Sequence, residues 1–354
     1  MTTSFASIPT IDLSLGTHAE TLPGLLDDLR HALVDIGFLY VSNHGVPERT
    51  ISDLVRVLPE LFALDAETKR AAALENSPHF LGYSGVGSEN TGGAADFREQ
   101  FEFATELPAT WRQGMPLYER LRGPNQWPNN DATLRSVIER YISALSDLGT
   151  RFLDLVAQAL SLPAGTFQAF LSDQHRLKLV HYPECGAGSA SNQGVGPHKD
   201  SSGWWTFLLQ ASPPEVRGLQ VLNKGGAWVD VPAVPGTFVV NIGQAFEVVT
   251  GGVCKATTHR VLAGPRERFS VPFFQGVRRN LTKAEAVGAL AAWHFAGTTG
   301  DESAEGSQID SAFLRGTYDT WGESQLRTKV RSHRENGRKF YGEVYEQYVN
   351  DDVS

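Results

Sequence analysis

With 354 residues and 41% hydrophobic content, the chain is long enough to bury a sizeable core without covalent staples. Its two cysteines, Cys185 and Cys254, make neither a disulfide framework nor a C-x-x-C pair for zinc or thiol exchange, which fits a reducing compartment. A net charge of -9 disfavours a phosphate backbone as partner, which excludes nucleic-acid binding as a main activity. No basic start followed by an apolar stretch and no apolar run of about 18 residues is present, so the expectation is a cytoplasmic protein with no membrane partner.

In chain order, Ile8-Pro9-Thr10-Ile11 reads as a short edge strand. Leu25, Leu26, Leu29, Leu33 and Ile36 recur at helical spacing and stop at Gly37. Phe38–Val41 follows as a strand, closed by the turn-prone Asn43-His44-Gly45, and Leu54, Val55, Leu58, Leu61 and Phe62 mark a second helix. Gly82-Tyr83-Ser84-Gly85-Val86-Gly87 lacks the dinucleotide glycine spacing and reads as a loop. The strongest helix runs from about Ala132 to Leu160, because Leu134, Val137, Ile138, Tyr141, Ile142, Leu145, Leu148, Phe152 and Val156 form one apolar stripe.

From Leu177 the texture changes to short β-branched and aromatic runs: LKLVHYP, WWTFLLQ, GLQVL, AWVDV, TFVVNIG, THRVL and RFSVPFF. Such runs, separated by Gly and Pro, predict a β-sandwich or jelly roll rather than a βαβ sheet. After about Ala284 the pattern returns to helix. There the basic cluster Arg327, Lys329, Arg331, Arg334, Arg338 and Lys339 reads as a solvated helix face, and Phe340, Tyr341, Tyr345 and Tyr348 as a cap on the barrel. Asn280-Leu281-Thr282 fits a glycosylation sequon, read as chance.

Within Gly196-Pro197-His198-Lys199-Asp200, an extended backbone puts His198 and Asp200 on one side. An imidazole nitrogen and a hard carboxylate oxygen, completed by a second histidine from a distant strand, make the 2-His-1-carboxylate set associated with non-haem Fe(II). His259 opens a strand of the same β-rich half and supplies that histidine. Three ligands on one face leave the opposite face for O2 and a chelating co-substrate. Further on, Arg268 and Ser270 stand two apart in a strand, so both can face the barrel interior. A buried Arg there requires an anion, either a ligand carboxylate gripped by its planar fork with the Ser hydroxyl beside it, or an internal acid such as Glu247.

These ordered motifs, with IPTIDLS, GFLYVSNHGVP and DFREQFEF in the N-terminal part and LVHYP, GLQV, GTFVVNIG and HRV in the core, resemble the isopenicillin-N-synthase-like branch of the Fe(II)/2-oxoglutarate-dependent dioxygenases. The resemblance covers nearly the whole chain. It implies a mainly β protein: a double-stranded β-helix (jelly roll) flanked by N-terminal and C-terminal helices. The expected organisation is an N-terminal cap over 1–110, a long helix plus catalytic core over 111–283, and a C-terminal helical segment over 284–354, in one integrated domain.

The resemblance further implies His198, Asp200 and His259 as iron ligands, Arg268 and Ser270 on the far carboxylate of 2-oxoglutarate, and Tyr182 lining the co-substrate pocket. It implies oxidation of a C–H bond of a small secondary metabolite by O2, by hydroxylation, desaturation or ring formation, with succinate and CO2 as co-products. Candidates for substrate contact are Arg98, Phe101, Phe103, Trp204, Trp205, Phe246 and Phe274. The chain departs from the family pattern in three places. Val180 stands where many members have Asn, the Ser201-Ser202-Gly203-Trp204-Trp205 link is a residue longer than usual, and Gln244 takes a place often held by Asp. Two other readings stay open at this point: an Fe(II)/O2 oxidase of the same fold that does not use 2-oxoglutarate, and a catalytically silent small-molecule-binding jelly roll. A monomer is favoured, with a small molecule as partner.

Overall fold

The computed structural model describes residues 5–186, 192–201, 203–290, 309 and 311–351. Its strands are Thr10–Asp12 (β1), Phe38–Ser42 (β2), Gly82–Ser84 (β3), Asn90–Thr91 (β4), Ala94–Ala95 (β5), Glu99–Ala104 (β6), Arg176–Tyr182 (β7), Gln193–His198 (β8), Trp205–Gln210 (β9), Leu219–Leu222 (β10), Trp228–Asp230 (β11), Thr237–Ile242 (β12), His259–Leu262 (β13) and Arg268–Phe274 (β14). An eight-stranded sheet in the order β1-β2-β12-β9-β14-β7-β6-β3 faces a four-stranded sheet in the order β11-β10-β13-β8. All seven β-rich runs of the second half are strands, and with the flanking helices they build the double-stranded β-helix.

The period-2 alternation decides which side chains see the space between the sheets. Along β14, Arg268, Ser270, Pro272 and Phe274 face inward, while Phe269, Val271 and Phe273 join the core behind the sheet. Along β7, Arg176, Lys178, Val180 and Tyr182 face inward and Leu177 and Leu179 face back. The outer core is closed by the helix Ala132–Ala159, whose Leu145, Leu148, Phe152 and Val156 are fully buried. Each such side chain contributes roughly 1.5–3 kcal/mol of burial. Asp131 caps that helix by accepting from the Thr133 and Leu134 N–H groups.

The first predicted helix is Leu22–His31, continued by a π turn over Ala32–Ile36 that ends at Gly37 in the left-handed region. The second is Glu48–Phe62. The edge strand falls at Thr10–Asp12 and pairs parallel with β2.

Three expectations need correction. Gly82–Ser84 is not loop but the edge strand β3, and DFREQFEF supplies β6, a buried member of the large sheet rather than a helical cap. The basic cluster is not one solvated face. Arg327 is 6% exposed and donates to Asp351, and Lys329 turns inward to Glu102, whereas Arg334, Arg338 and Lys339 are exposed. The helix Trp321–Ser332 packs against the body, so only part of its circumference meets water.

The C-terminal aromatics close over the N-terminal part of the chain. Tyr341 stacks on Phe80 and donates to the Pro78 carbonyl, and Tyr345 and Tyr348 share a buried cluster with Leu74 and Leu326. Thr282 of the sequon caps the helix Lys283–Gly288 in a reciprocal box with Glu285. Part of the segment expected over 284–354 lies outside the described residues. Among the described residues, no helix is long and apolar enough to cross a membrane.

Candidate metal centre and co-substrate cavity

The strands β8 and β13 are antiparallel neighbours, and His198 stands directly opposite His259 in their register. This pairing brings two histidines far apart in sequence to a ring-centroid separation of 4.3 Å. Asp200 lies just past the end of β8, where the Gln244 N–H donates to its carbonyl at 2.9 Å. Its Oδ1 sits 3.5 Å from His198 Nε2 and 3.6 Å from His259 Nε2. The three ligand atoms fall within 4.8 Å of one another, and among the described residues no other His/Cys/Asp/Glu group meets that test.

The surroundings fix which atoms point at the common centre. His198 Nδ1 lies 2.8 Å from the Gly196 carbonyl and His259 Nδ1 lies 3.1 Å from the Thr257 carbonyl. A carbonyl only accepts, so each Nδ1 carries the proton and each Nε2 keeps its lone pair free for a metal. Asp200 Oδ2 accepts from Thr206 Oγ1 at 2.5 Å and Asn241 Nδ2 at 2.7 Å, which leaves Oδ1 turned to the two imidazoles. Burial alone would raise the Asp200 pKa, but the two imidazoles beside it and the Thr206 hydroxyl outweigh that and hold the group well below the usual carboxylate range. Burial, reinforced by His198, pushes His259 down to about 4, so its imidazole is neutral at physiological pH.

The triad opens onto a cavity of about 390 Å³ between the sheets. At one end Arg268 is 3% exposed, and Ser270, Tyr182, Val180, Leu208, Leu219 and Val261 complete the wall. Arg268 Nη2 donates to Gln210 Oε1 at 3.0 Å and the guanidinium lies 5.0 Å over the Tyr182 ring, but Nη1 has no hydrogen-bond partner. Glu247, weighed above as an internal counter-ion, meets Lys199 at 3.5 Å instead, and among the described residues no carboxylate pairs with Arg268. Burial lowers the Arg268 pKa, with Tyr182 acting in the opposite direction. A buried, unpaired guanidinium nitrogen aimed into a cavity is a receptor for a carboxylate, so the residues present fit 2-oxoglutarate.

The predicted substrate residues divide. Phe274 and Arg98 line the cavity, but Arg98 is held by Glu89 at 2.6 Å and Asp96 at 3.2 Å. Phe101, Phe103, Trp204, Trp205 and Phe246 are fully buried and absent from the cavity wall. Phe101 and Phe103 have the outward strand parity, pairing with Leu179 and Leu177 on the helix side of the sheet. Trp204 and Trp205 pack on Phe246, and Trp205 Nε1 donates to Gln275 at 2.7 Å. Ser202 of the lengthened link lies outside the described residues. Sequence reasoning missed Thr206 and Asn241, which face each other across β9 and β12. The signal was there, since each is a lone polar residue inside an otherwise apolar run.

Family models match over residues 8–130, for the N-terminal region of non-haem dioxygenases in morphine synthesis, and over residues 173–277, for the 2OG-Fe(II) oxygenase superfamily. The chain is 41% identical to the 2-oxoglutarate-dependent dioxygenase frbJ of Dothideomycetidae sp. (strain 11243), over 95% of this chain and 92% of that one. It is 32% identical to a homoarginine-6-hydroxylase of Glycine max, over 77% of this chain and 86% of the relative. The fold matches the crystal structure of a 2OG-Fe(II) oxygenase family protein from Caulobacter crescentus at a TM-score of 0.66 and 27% identity, covering 78% of this chain and 88% of that one. With a facial triad candidate and a carboxylate receptor in one cavity, the chain belongs to the 2OG-Fe(II) oxygenase superfamily and is a 2-oxoglutarate-dependent dioxygenase.

Proposed function

We propose that His198, Asp200 and His259 hold the Fe(II), that Arg268 and Ser270 bind the far carboxylate of 2-oxoglutarate with Tyr182 against it, and that the reaction oxidises an unactivated C–H bond of a small organic metabolite. The observation that carries this reading is the unpaired Arg268 Nη1 in the same cavity as the triad. When bound, iron and 2-oxoglutarate together turn O2 into an oxidant strong enough for an unactivated C–H, with succinate and CO2 as co-products.

The chain's own residues supply placement. The Gly196 and Thr257 carbonyls fix both imidazole tautomers, Thr206 and Asn241 orient the Asp200 carboxylate, and Leu208, Leu219 and Val261 keep the Arg268 end apolar and dry. Use of 2-oxoglutarate, rather than an oxidase that dispenses with it, is supported by the 41% identity to a 2-oxoglutarate-dependent dioxygenase, and substrate-dependent consumption of 2-oxoglutarate separates the two. The cavity volume suits a compound of amino-acid size, and homoarginine, the substrate named for the Glycine max relative, is the first to test.

His198→Ala removes one of three ligands. Substrate-linked succinate formation is expected to vanish while circular dichroism and the thermal midpoint stay as in the wild type. Undiminished succinate formation in that variant would overturn the assignment.

A further inference from the structure

The inner face of β7 changes character along its length. Tyr182 and Val180 belong to the Arg268 end of the cavity, whereas Lys178 and Arg176 line its other half. There the wall is ionic and assembled from separate elements: Glu89 and Arg98 from the segment around β4 to β6, Glu102 from β6, and Lys329 from the helix Trp321–Ser332.

The acceptors of this wall are already engaged. Glu89 accepts from Arg98 Nη2 at 2.6 Å and from Gln100 Nε2 at 2.8 Å. Glu102 accepts from Arg176 Nη1 at 2.6 Å and from Lys329 Nζ at 2.9 and 3.1 Å. The nearby side-chain amide oxygen of Gln100 lacks a partner but does not line the cavity.

The donors are not all engaged. Lys178 Nζ stands 3.8 Å from Glu89 and 3.8 Å from Glu102, beyond hydrogen-bond reach of either. Arg98 Nε, buried, has no partner. The charges agree with the hydrogen bonds: the four cations Arg98, Arg176, Lys178 and Lys329 of this wall are paired with two carboxylates of the wall, Glu89 and Glu102, and with Asp96 behind it. His333, 3.7 Å from Glu89, adds no charge, because burial holds its imidazole down at about 4 despite that glutamate.

We propose that Lys178 is the docking point for a carboxylate on the substrate, placed at the end of the cavity away from Arg268. This rests on the oxygenase reading above. One singly charged acceptor would satisfy the ammonium and balance the wall. 2-Oxoglutarate itself is too short for both ends: Lys178 is four residues along β7 from Tyr182, the register partner of Arg268, a separation of roughly 13 Å at strand rise. Glu89 and Glu102 flank the ammonium symmetrically and keep it aimed inward rather than folded onto one of them. The substrate class is therefore a small carboxylic acid, bound by its carboxylate with its carbon chain reaching back toward the triad.

The test is anaerobic calorimetry on the Fe(II) protein, first titrated with 2-oxoglutarate and then, at saturation, with benzoate or with neutral benzamide as probes. Benzoate should bind about tenfold or more tightly than benzamide, as one charge-assisted hydrogen bond requires. Lys178→Met should reduce benzoate to the benzamide level and leave 2-oxoglutarate affinity unchanged, while Lys178→Arg, which keeps the charge, should retain the preference. Equal affinities in the wild type, absence of binding by either probe at millimolar concentrations, or a preference surviving in a folded Lys178→Met protein would each overturn the proposal. Failure of 2-oxoglutarate to bind in the first titration would instead count against the oxygenase reading, so the two failures are distinct.

Discussion

Asp200 divides its oxygens between two tasks, and the division depends on neighbours that never reach the metal position. With Thr206 and Asn241 both on Oδ2, the carboxylate plane is pinned and Oδ1 is presented between the two imidazoles. Thr206→Val keeps the shape of the side chain and deletes one of these donors. Fe(II) affinity in an anaerobic titration should fall roughly 10–100-fold, as for other outer-shell contacts, with little change in the thermal midpoint of the metal-free protein. Unchanged affinity would show that Asn241 alone suffices. Arg268→Gln addresses the other end of the cavity. It removes the charge-assisted contact but can still meet Gln210, so the KM for 2-oxoglutarate should rise roughly tenfold or more while Fe(II) affinity holds. A KM within twofold of the wild type would remove Arg268 from the co-substrate site.

At the scale of elements, the position of the second histidine depends on a turn some two hundred residues earlier in the chain. Gly37 ends the π turn with φ at 75°, and a Cβ there would meet the Lys255 carbonyl and Thr257 Oγ1 at 2.4 Å each. Thr257 also donates its hydroxyl to the Ile36 carbonyl and offers its own carbonyl to His259. Gly37→Ala therefore strains the backbone and pushes on the segment that aims an iron ligand. The expected result is a loss of more than about 1 kcal/mol in unfolding free energy together with weaker Fe(II) binding. Full retention of both would show that the segment yields without moving His259. The same elements show what could be read from residues alone. The apolar stripe from Leu134 to Val156 and the alternation of RFSVPFF each predict their element, because a local period is enough. β6 resisted that reading, since its two buried glutamates are stable only beside Lys69, Arg176 and Lys329, partners brought in by the fold. Phe101, Phe103 and Trp205 went to the core for a related reason: which parity of a strand faces the cavity depends on register with neighbours, which no single run contains.

At the scale of the whole molecule, the interior is tuned to a neutral or mildly basic medium through histidines outside the triad. Burial lowers the pKa of His44, His79, His175 and His333, the last two to about 4. For two of them the hydrogen bonding gives the reason in atoms: His44 Nδ1 accepts the Val46 N–H and His175 Nδ1 accepts the Gly276 N–H, both at 3.1 Å, so protonation of that nitrogen breaks a backbone contact. In the unfolded chain these imidazoles titrate near about 6.5. Between about 6.5 and 4 the unfolded state thus binds protons that the folded state refuses, and stability must fall as pH falls through that window. The depressed carboxylates work in the same direction but at lower pH. Glu89, which burial would raise but Lys178 and Arg98 hold down at about 2, gives up its contribution as pH falls from about 4.5 to about 2. Acid lability should therefore begin with the histidines. The thermal midpoint of the metal-free protein should decline already between about pH 6.5 and 5, and His175→Gln, whose amide oxygen can still accept the Gly276 N–H without titrating, should show a shallower decline. A midpoint that stays level down to about pH 5 would mean that the interior takes up these protons at no cost, and that the buried imidazoles do not set the acid limit of the fold.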